Sequence, residues 1–405
     1  MTSLHIAVVS TFPPDRGNLA EYGFYISNAL AKTEGVAHVT VLANRVPGAP
    51  EVETPLPTLT IRRVWTLDEP TSFTTIAREA KAAGVDAVYV NAGIRTWGKS
   101  RRASMAGAAL PLYLRSQGHP VITTLHTIGD TVRLDRMGVG GATKLGMRVA
   151  SQLYLQSDLV TVTMPSMQTA LRNMGATNVA HLSHGTWGAR VPSPPVVPTP
   201  RILSFGFWGA FKDADLLVDA TLALRNSGVP AELVLGGGAH PYFPEIYQQL
   251  KSKFAKHPFV RFTGYVPEAE LTALFTSVSV VVLPYRTNAG ASGVLNLCRS
   301  YGRPVVISNE TALLEQLRFE GGAALVFDDA HSLVDSLRKV LTDDSLRASM
   351  GEGNLAVARR VTLETQAVKL ARMFDDLVSK RSLDQWLKPV AMQPGVGNLV
   401  MSPPA

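Results

Sequence analysis

A single cysteine, Cys298, stands in the 405 residues, so neither an intramolecular disulfide nor a cysteine metal cluster can form, and a reducing compartment fits. No uncharged apolar run approaches the ~20 residues that a membrane-spanning helix requires. The start, MTSLHIAVVSTF, lacks the basic opening and long apolar core of a signal peptide and reads as a first strand. A cytoplasmic location is expected, with peripheral contact on the inner face of a membrane left open. Aromatic residues are sparse, at 7%, and no Lys/Arg run is interleaved with them, which disfavours nucleic acid as a partner. Charged residues make up 18% against 46% hydrophobic, a balance that excludes a disordered chain. The charge that is present leans basic, 39 Lys and Arg against 32 Asp and Glu for a net +7, and favours anionic partners without choosing among them.

What the chain has in quantity is alternation. Short β-branched runs recur between longer segments of helical spacing: HIAVVS (5–10), VTVLA (39–43), IRRVW (61–65), AVYVN (87–91), VITTLH (121–126), LVTVTM (159–164) and VAHLSH (179–184) in the first half. RILSFG (201–206), ELVLGG (232–237), VRFTGY (260–265), VVVLPY (280–285), PVVISN (304–309) and AALVF (323–327) follow in the second. This pattern predicts βαβ units and parallel sheets. Between the halves lies RVPSPPVVPTP, whose prolines remove backbone donors and stiffen the chain as in a linker. The expected organisation is therefore an α/β protein of two facing Rossmann-like domains, at 1–189 and 201–360, joined by the proline-rich linker at 190–200. A C-terminal helix and tail, 361–405, is expected to pack back on the first domain.

The loop Asn288-Ala289-Gly290-Ala291-Ser292-Gly293 follows a strand that is apolar on both faces and opens a helix whose Val294, Leu297, Cys298 and Tyr301 recur at helical spacing. Gly290 and Gly293 permit close backbone approach. The amides of Gly293 and Val294, with the Ser292 hydroxyl, are placed to hold an anion at the positive end of the helix dipole; the competing reading is a plain N-cap by Ser292. Lys212 lies in a loop between a strand and a helix, so its ammonium is expected to reach a ligand cleft rather than the core. Arg286 ends the strand beside the anion loop, whereas Arg303, in the turn GRP, reads as structural.

In the first half, Gly17 and Asn18 occupy the loop after the first strand, at the carboxyl edge where parallel sheets bind ligands. His126 ends another strand on that edge. Asp213 and Asp215 fit the first turn of a helix better than a metal site, and no Asp-x-Asp closes a strand; no metal is expected. Two basic segments, Trp97 to Arg102 and Arg133, Arg136, Lys144 and Arg148, read either as contacts to an anionic lipid or lipid-linked pyrophosphate or as solvated helix faces.

Three segments of the second half, FGFWGAFKDADLLVDA (205–220), VRFTGYVPEAELTALFTSVSVVVLPY (260–285) and SGVLNLCRSYGRPVV (292–306), resemble in order and spacing the nucleotide-sugar domain of a GT-B glycosyltransferase of the large retaining family 4, the glycosyl transferases group 1. STFPPDRGNLAEYGFYISNAL (10–30), VITTLHTIGD (121–130) and SDLVTVTMPSMQTAL (157–171) match more loosely. The resemblance implies that 1–189 is an acceptor-binding domain and 201–360 a nucleotide-sugar-binding domain, that Lys212 contacts the donor diphosphate and that His126 hydrogen-bonds the donor sugar. It also implies that Gly264, Tyr265 and Asn296 lie at the nucleoside. Two departures stand out. Phe207 occupies the place of an arginine common in the family, and the family's pair of glutamates eight apart falls on Ala289 and Leu297, so the ribose contact is left to residues such as Asn288 and Asn296.

These readings converge on a metal-independent, retaining hexosyltransferase that uses a nucleoside-diphosphate sugar as co-substrate, with no other cofactor, and a glycan or lipid-linked glycan as acceptor. The alternative is a catalytically degenerate protein of the same fold that binds nucleotide sugars or a partner. A nicotinamide-dependent dehydrogenase would need G-x-G-x-x-G after the first strand, which STFPPDRGN does not supply.

Overall fold

The computed structural model describes residues 3–93, 96–129, 141–193, 200–240, 243–390 and 400–401, without the side chains of residues 18, 141–144 and 400–401. Most of the proline-rich linker, Arg133, Arg136, the Lys144 and Asn18 side chains and most of the tail beyond residue 390 lie outside that set. The described chain separates into two compact units. The first holds the chain through residue 184 together with residues 363–390, and the second holds residues 185–362 and the short strand Val400–Met401.

In the first unit, strands β1 (Leu4–Ser10), β2 (Val36–Asn44), β3 (Val52–Leu56), β4 (Leu59–Trp65), β5 (Ala87–Ala92), β6 (Val121–Leu125), β7 (Leu159–Val162) and β8 (Val179–His181) form one sheet in the order β3-β4-β2-β1-β5-β6-β7-β8. Every pairing is parallel except β3 with β4. Strand order reverses between β1 and β5, so the loops leaving these two strands diverge and open a crevice at their carboxyl ends. Helix Asn18–Leu30 runs back over the sheet and approaches β1 closely: a Cβ on Gly23 would stand 2.2 Å from Ser10 Oγ. Helix Leu363–Val378 packs against the same helix.

The second unit repeats the plan with β9 (Arg201–Ser204), β10 (Glu232–Gly236), β11 (Val260–Gly264), β12 (Val280–Leu283), β13 (Val305–Ser308), β14 (Ala324–Phe327) and β15 (Val400–Met401), all parallel, in the order β11-β10-β9-β12-β13-β14-β15. Its switch point lies between β9 and β12. Alternate strand residues feed two cores, one on each face: Ile202, Val280 and Val282 on one side, Leu203, Val281 and Leu283 on the other, all fully buried. Each such side chain contributes about 1.5–3 kcal/mol of hydrophobic stabilisation, so the edge that carries the loops is a rigid platform.

Several boundaries differ from the sequence reading. β6 stops at Leu125 and β8 at His181, which leaves His126 just past one strand and His184 in the loop after another. The antiparallel edge strand β3 is an addition; its Pro55 sits where an edge tolerates the lost donor. The helical stretch expected over 344–380 is two helices, Asp344–Arg360 and Leu363–Val378, broken where Val361 O accepts the Thr186 N–H at 2.8 Å. Among the described residues no helix is long and apolar enough to cross a membrane.

Candidate active site

In the second unit the loops after β9 and β12 are zipped together at the switch point. Asp213 N–H donates to Pro284 O and Arg286 N–H to Phe211 O, each at 2.9 Å, and Lys212 pairs antiparallel with Tyr285. This pairing folds the Lys212 side chain inward. Its Nζ donates to Phe205 O at 2.5 Å and lies 5.1, 5.6 and 5.9 Å from the ring centroids of Trp208, Tyr285 and Phe211. The residue is only 6% exposed, which corrects the expectation of an ammonium standing free in a cleft. Burial lowers its pKa to about 7, so amine and ammonium coexist near neutrality.

Gly206, at φ +104°, is where Lys212 meets the glycine-rich helix: a Cβ there would lie 3.0 Å from Lys212 Nζ and 3.4 Å from Val294 Cγ2. Only glycine allows that approach in that backbone conformation. Ser292 is the N-cap of helix Gly293–Ser300, its hydroxyl accepting the Leu295 N–H at 3.2 Å, and its own N–H is taken by Gln316 Oε1 at 2.8 Å. The hydroxyl thus serves as the N-cap, the competing reading of the sequence, through a lone pair. Helix geometry still leaves the amides of Gly293 and Val294 without an intrahelical acceptor, and the Val294 side chain approaches Gly206 as Lys212 does.

Three further residues of this unit differ from expectation in environment. Asn296 is fully buried: Nδ2 donates to Gly185 O at 2.9 Å, and Oδ1 accepts from Arg299 Nη1 at 2.9 Å and Gln316 Nε2 at 3.2 Å. An amide so committed is not free for a ribose, which corrects that assignment. Arg286, about half exposed, is paired with Asp213 through contacts of 2.9 and 3.1 Å, and Asp213 also caps helix Ala214–Asn226. Arg303 is buried, donating to Val278 O at 2.6 Å, a structural role as the turn suggested. Gly264, at φ +72°, and Tyr265, 43% exposed, leave β11 alongside the Gly237–Gly238 turn on the same carboxyl edge as Lys212.

Sequence reading missed the network beneath the helix. Arg299, with no exposed surface, is bonded to Glu320 at 2.5 Å and to Gly321 O at 2.6 Å, and Gln316 joins Glu320 to Asn296 and Ser292. A charged residue on the apolar stripe of a helix was the signal available.

In the first unit, Gly17 is the N-cap of helix Asn18–Leu30 with an ordinary φ of −85°, and its N–H leans on Asp15 Oδ1 at 3.3 Å. Asn44 fixes this loop by donating to Asp15 Oδ2 at 2.9 Å and accepting the Phe12 N–H at 2.9 Å. His126 follows β6, its N–H bonded to Ala92 O and its Nε2 to Asn91 Oδ1 at 2.8 Å. Tyr22 packs edge-on to it at 4.4 Å between ring centroids, and His184 lies at 5.8 Å. Burial, helped by His184, lowers the His126 pKa to about 3 and keeps the ring neutral. Of the basic segments, Trp97 is buried and bonded to Tyr154 at 2.8 Å, while Lys99, Arg101, Arg102, Leu145, Arg148 and Val149 are exposed. Among the described residues no group of His, Cys, Asp or Glu gathers to hold a metal ion.

Residues 199–343 match a family model described as "Glycosyl transferases group 1", a span that runs from β9 to helix Ala330–Thr342. The chain is similar to D-inositol 3-phosphate glycosyltransferase of Corynebacterium glutamicum (strain R), 26% identical over 180 residues that make up 43% of each protein. It is also similar to O-antigen chain mannosyltransferase B of Escherichia coli, 30% identical over 122 residues, 30% of this chain and 31% of that one. The chain thus matches about half the length of these curated relatives or less. Among solved structures, sucrose-phosphate synthase (tll1590) from Thermosynechococcus elongatus superposes with a TM-score of 0.73 at 19% identity, over 93% of this chain and 100% of that one. Anabaena Alr3699/HepE in complex with UDP-glucose gives 0.68 at 15%, over 92% and 100%. At such identities the likeness defines the fold, which is GT-B.

Proposed function

We propose that this chain is a glycosyltransferase that moves a hexose from a nucleoside-diphosphate sugar to an acceptor hydroxyl with retention of configuration and without a metal ion. The observation that carries the reading is that Lys212 Nζ and the Val294 side chain, at the start of the helix whose Gly293 and Val294 amides lack an intrahelical acceptor, both close on Gly206 at the switch point of the second unit. When the sugar–phosphate bond breaks, negative charge grows on the leaving diphosphate. Donors fixed where that charge develops stabilise the transition state more than the ground state, and one such donor is worth roughly 2.7–4 kcal/mol. An arriving diphosphate would draw Lys212 into its charged form. Arg286, released from Asp213, would add a second cation.

In this reading the second unit binds the donor through these groups, with Gly264 and Tyr265 toward the nucleoside. The first unit supplies His126 to the donor sugar, and the backbone at Gly17 and Asn18 to phosphate or acceptor. Attack of the acceptor hydroxyl on the leaving-group face requires no protein carboxylate as base. A glycan or lipid-linked glycan fits the acceptor role, and Leu145 and Val149 exposed beside Arg148 support peripheral membrane contact. The relatives named above act in D-inositol 3-phosphate glycosylation and O-antigen chain mannosylation, which keeps a polyol phosphate and a polysaccharide within the acceptor class.

The absence of acidic residues at Ala289 and Leu297 favours a second reading, a protein that binds nucleotide sugars without turning them over. A thermal-shift panel of UDP-, GDP- and ADP-sugars on wild type and Lys212→Met, paired with a release assay for the nucleoside diphosphate, tests both. The first reading expects stabilisation by one donor class, weakened by the substitution, together with release on adding acceptor. Stabilisation without transfer or hydrolysis identifies the second, and no response to any donor refutes both.

A further inference from the structure

The imidazole of His126 sits at the end of a chain of hydrogen bonds whose direction is forced from its far end. The Leu19 carbonyl can only accept, and Asn91 Nδ2 lies 3.1 Å from it. Ser10 Oγ spends its proton on Thr11 O at 2.6 Å, so toward Asn91 it offers a lone pair, and Nδ2 donates to it at 2.9 Å. Both amide protons are thereby placed, and Asn91 Oδ1 must face His126 Nε2, 2.8 Å away. A carbonyl oxygen cannot donate, so Nε2 carries the proton. Turning the amide over would set Oδ1 against the Leu19 carbonyl, acceptor to acceptor, in a place with no water to relieve it: Asn91 has no exposed surface.

The ring has little freedom to escape this arrangement. β5 and β6 are registered Asn91 to Thr124 and Ala92 to Leu125, and the His126 N–H is tied to Ala92 O at 2.9 Å. Tyr22 closes one side and His184 another; among the described residues these are the titratable groups packed against the ring. Nδ1 hydrogen-bonds to nothing among the described residues.

We infer that Asn91 is a positioning residue that fixes His126 as its Nε2–H tautomer, so that Nδ1 presents a bare lone pair to the ligand. Such a group accepts from a hydroxyl and repels a carboxylate or phosphate oxygen. It therefore selects the hydroxylated part of a donor and leaves charge neutralisation to other residues. The hydroxyl as ligand rests on the glycosyltransferase reading; the tautomer does not.

The test is a two-bond 15N–1H correlation spectrum of the full chain labelled at histidine, with the His126→Gln spectrum identifying the signals of interest. In wild type between pH 5 and 8 the His126 ring is expected to show a protonated Nε2 and a bare Nδ1, and one of UDP-glucose, GDP-mannose or ADP-glucose should shift Nδ1 alone. In Asn91→Leu, folded by circular dichroism, the two nitrogen shifts should move toward each other as the tautomers interconvert. A wild-type ring protonated at Nδ1, or an Asn91→Leu ring with an unchanged pattern, overturns the inference. The predicted tautomer with no response to any nucleotide sugar upholds it and counts against the glycosyltransferase reading instead.

Discussion

Donor binding should draw a proton onto Lys212. Burial under Trp208, Tyr285 and Phe211 lowers the amine's pKa from 10.5 to about 7, so at pH 8 most of the unliganded protein holds it uncharged. A diphosphate beside Nζ restores the ammonium, and the complex binds more protons than the free protein. Affinity is then flat below pH 7 and falls as pH rises, by about 1.4 kcal/mol or tenfold per unit, until the bound-state pKa is reached. Titration calorimetry at pH 8 in phosphate and in Tris, whose ionisation heats differ widely, reads the uptake directly. A nucleoside-diphosphate sugar suits the purpose because its phosphodiester groups do not titrate in this range. The expected uptake is a large fraction of one proton per donor bound, and Lys212→Met should abolish it. Binding with no uptake in wild type, or with undiminished uptake in the variant, would refute the assignment of Lys212 to the diphosphate.

The same shift makes Lys212 a cost to the fold. Its folded pKa lies below the unfolded value, so the unfolded chain holds more protons between about pH 7 and 10.5 and wild-type stability rises through that window. Lys212→Met should therefore be more stable than wild type at pH 7, by up to ~4 kcal/mol, with the difference in Tm shrinking by pH 9. Glu320→Ala leaves the Arg299 guanidinium buried without its carboxylate and should lower stability in urea by about 3–5 kcal/mol. It should also weaken donor binding, because Gln316 holds the Ser292 end of the helix. Gly23→Ala forces a Cβ to within 2.2 Å of Ser10 Oγ and 2.9 Å of Ser10 Cβ, and should cost about 1–3 kcal/mol by thermal melting. It should also disturb the His126 resonances, since Ser10 anchors Asn91.

The architecture was largely legible because parallel strands buried on both faces must be apolar throughout, and runs such as VVVL and LVTV advertise themselves. β3 was not: VETPL carries a proline and no alternation, and its pairing depends on a turn rather than on its own composition. The glycine-rich helix start was legible from Gly290 and Gly293, and the N-cap role of Ser292 was one of two readings open there, while the engagement of its N–H was not legible, because Gln316, which accepts it, lies on another helix. Asn296 shows the same limit. Position on a helix says that a residue faces the sheet or the loop, not that Gly185, Arg299 and Gln316 will consume its amide. Lys212 was found for its place after β9, yet its burial came from the pairing of loops some seventy residues apart, which spacing does not encode. Asn91 was visible in principle: an asparagine closing the apolar run AVYVN has to hydrogen-bond to something, and the strand after it ends in a histidine.

A crystal structure with an intact nucleoside-diphosphate sugar bound tests the central claim most directly. The account predicts phosphate oxygens within hydrogen-bonding distance of Lys212 Nζ and of the Gly293 and Val294 amides, beside Gly206. A diphosphate lodged against other residues, with Lys212 still bonded to the Phe205 carbonyl, would contradict it.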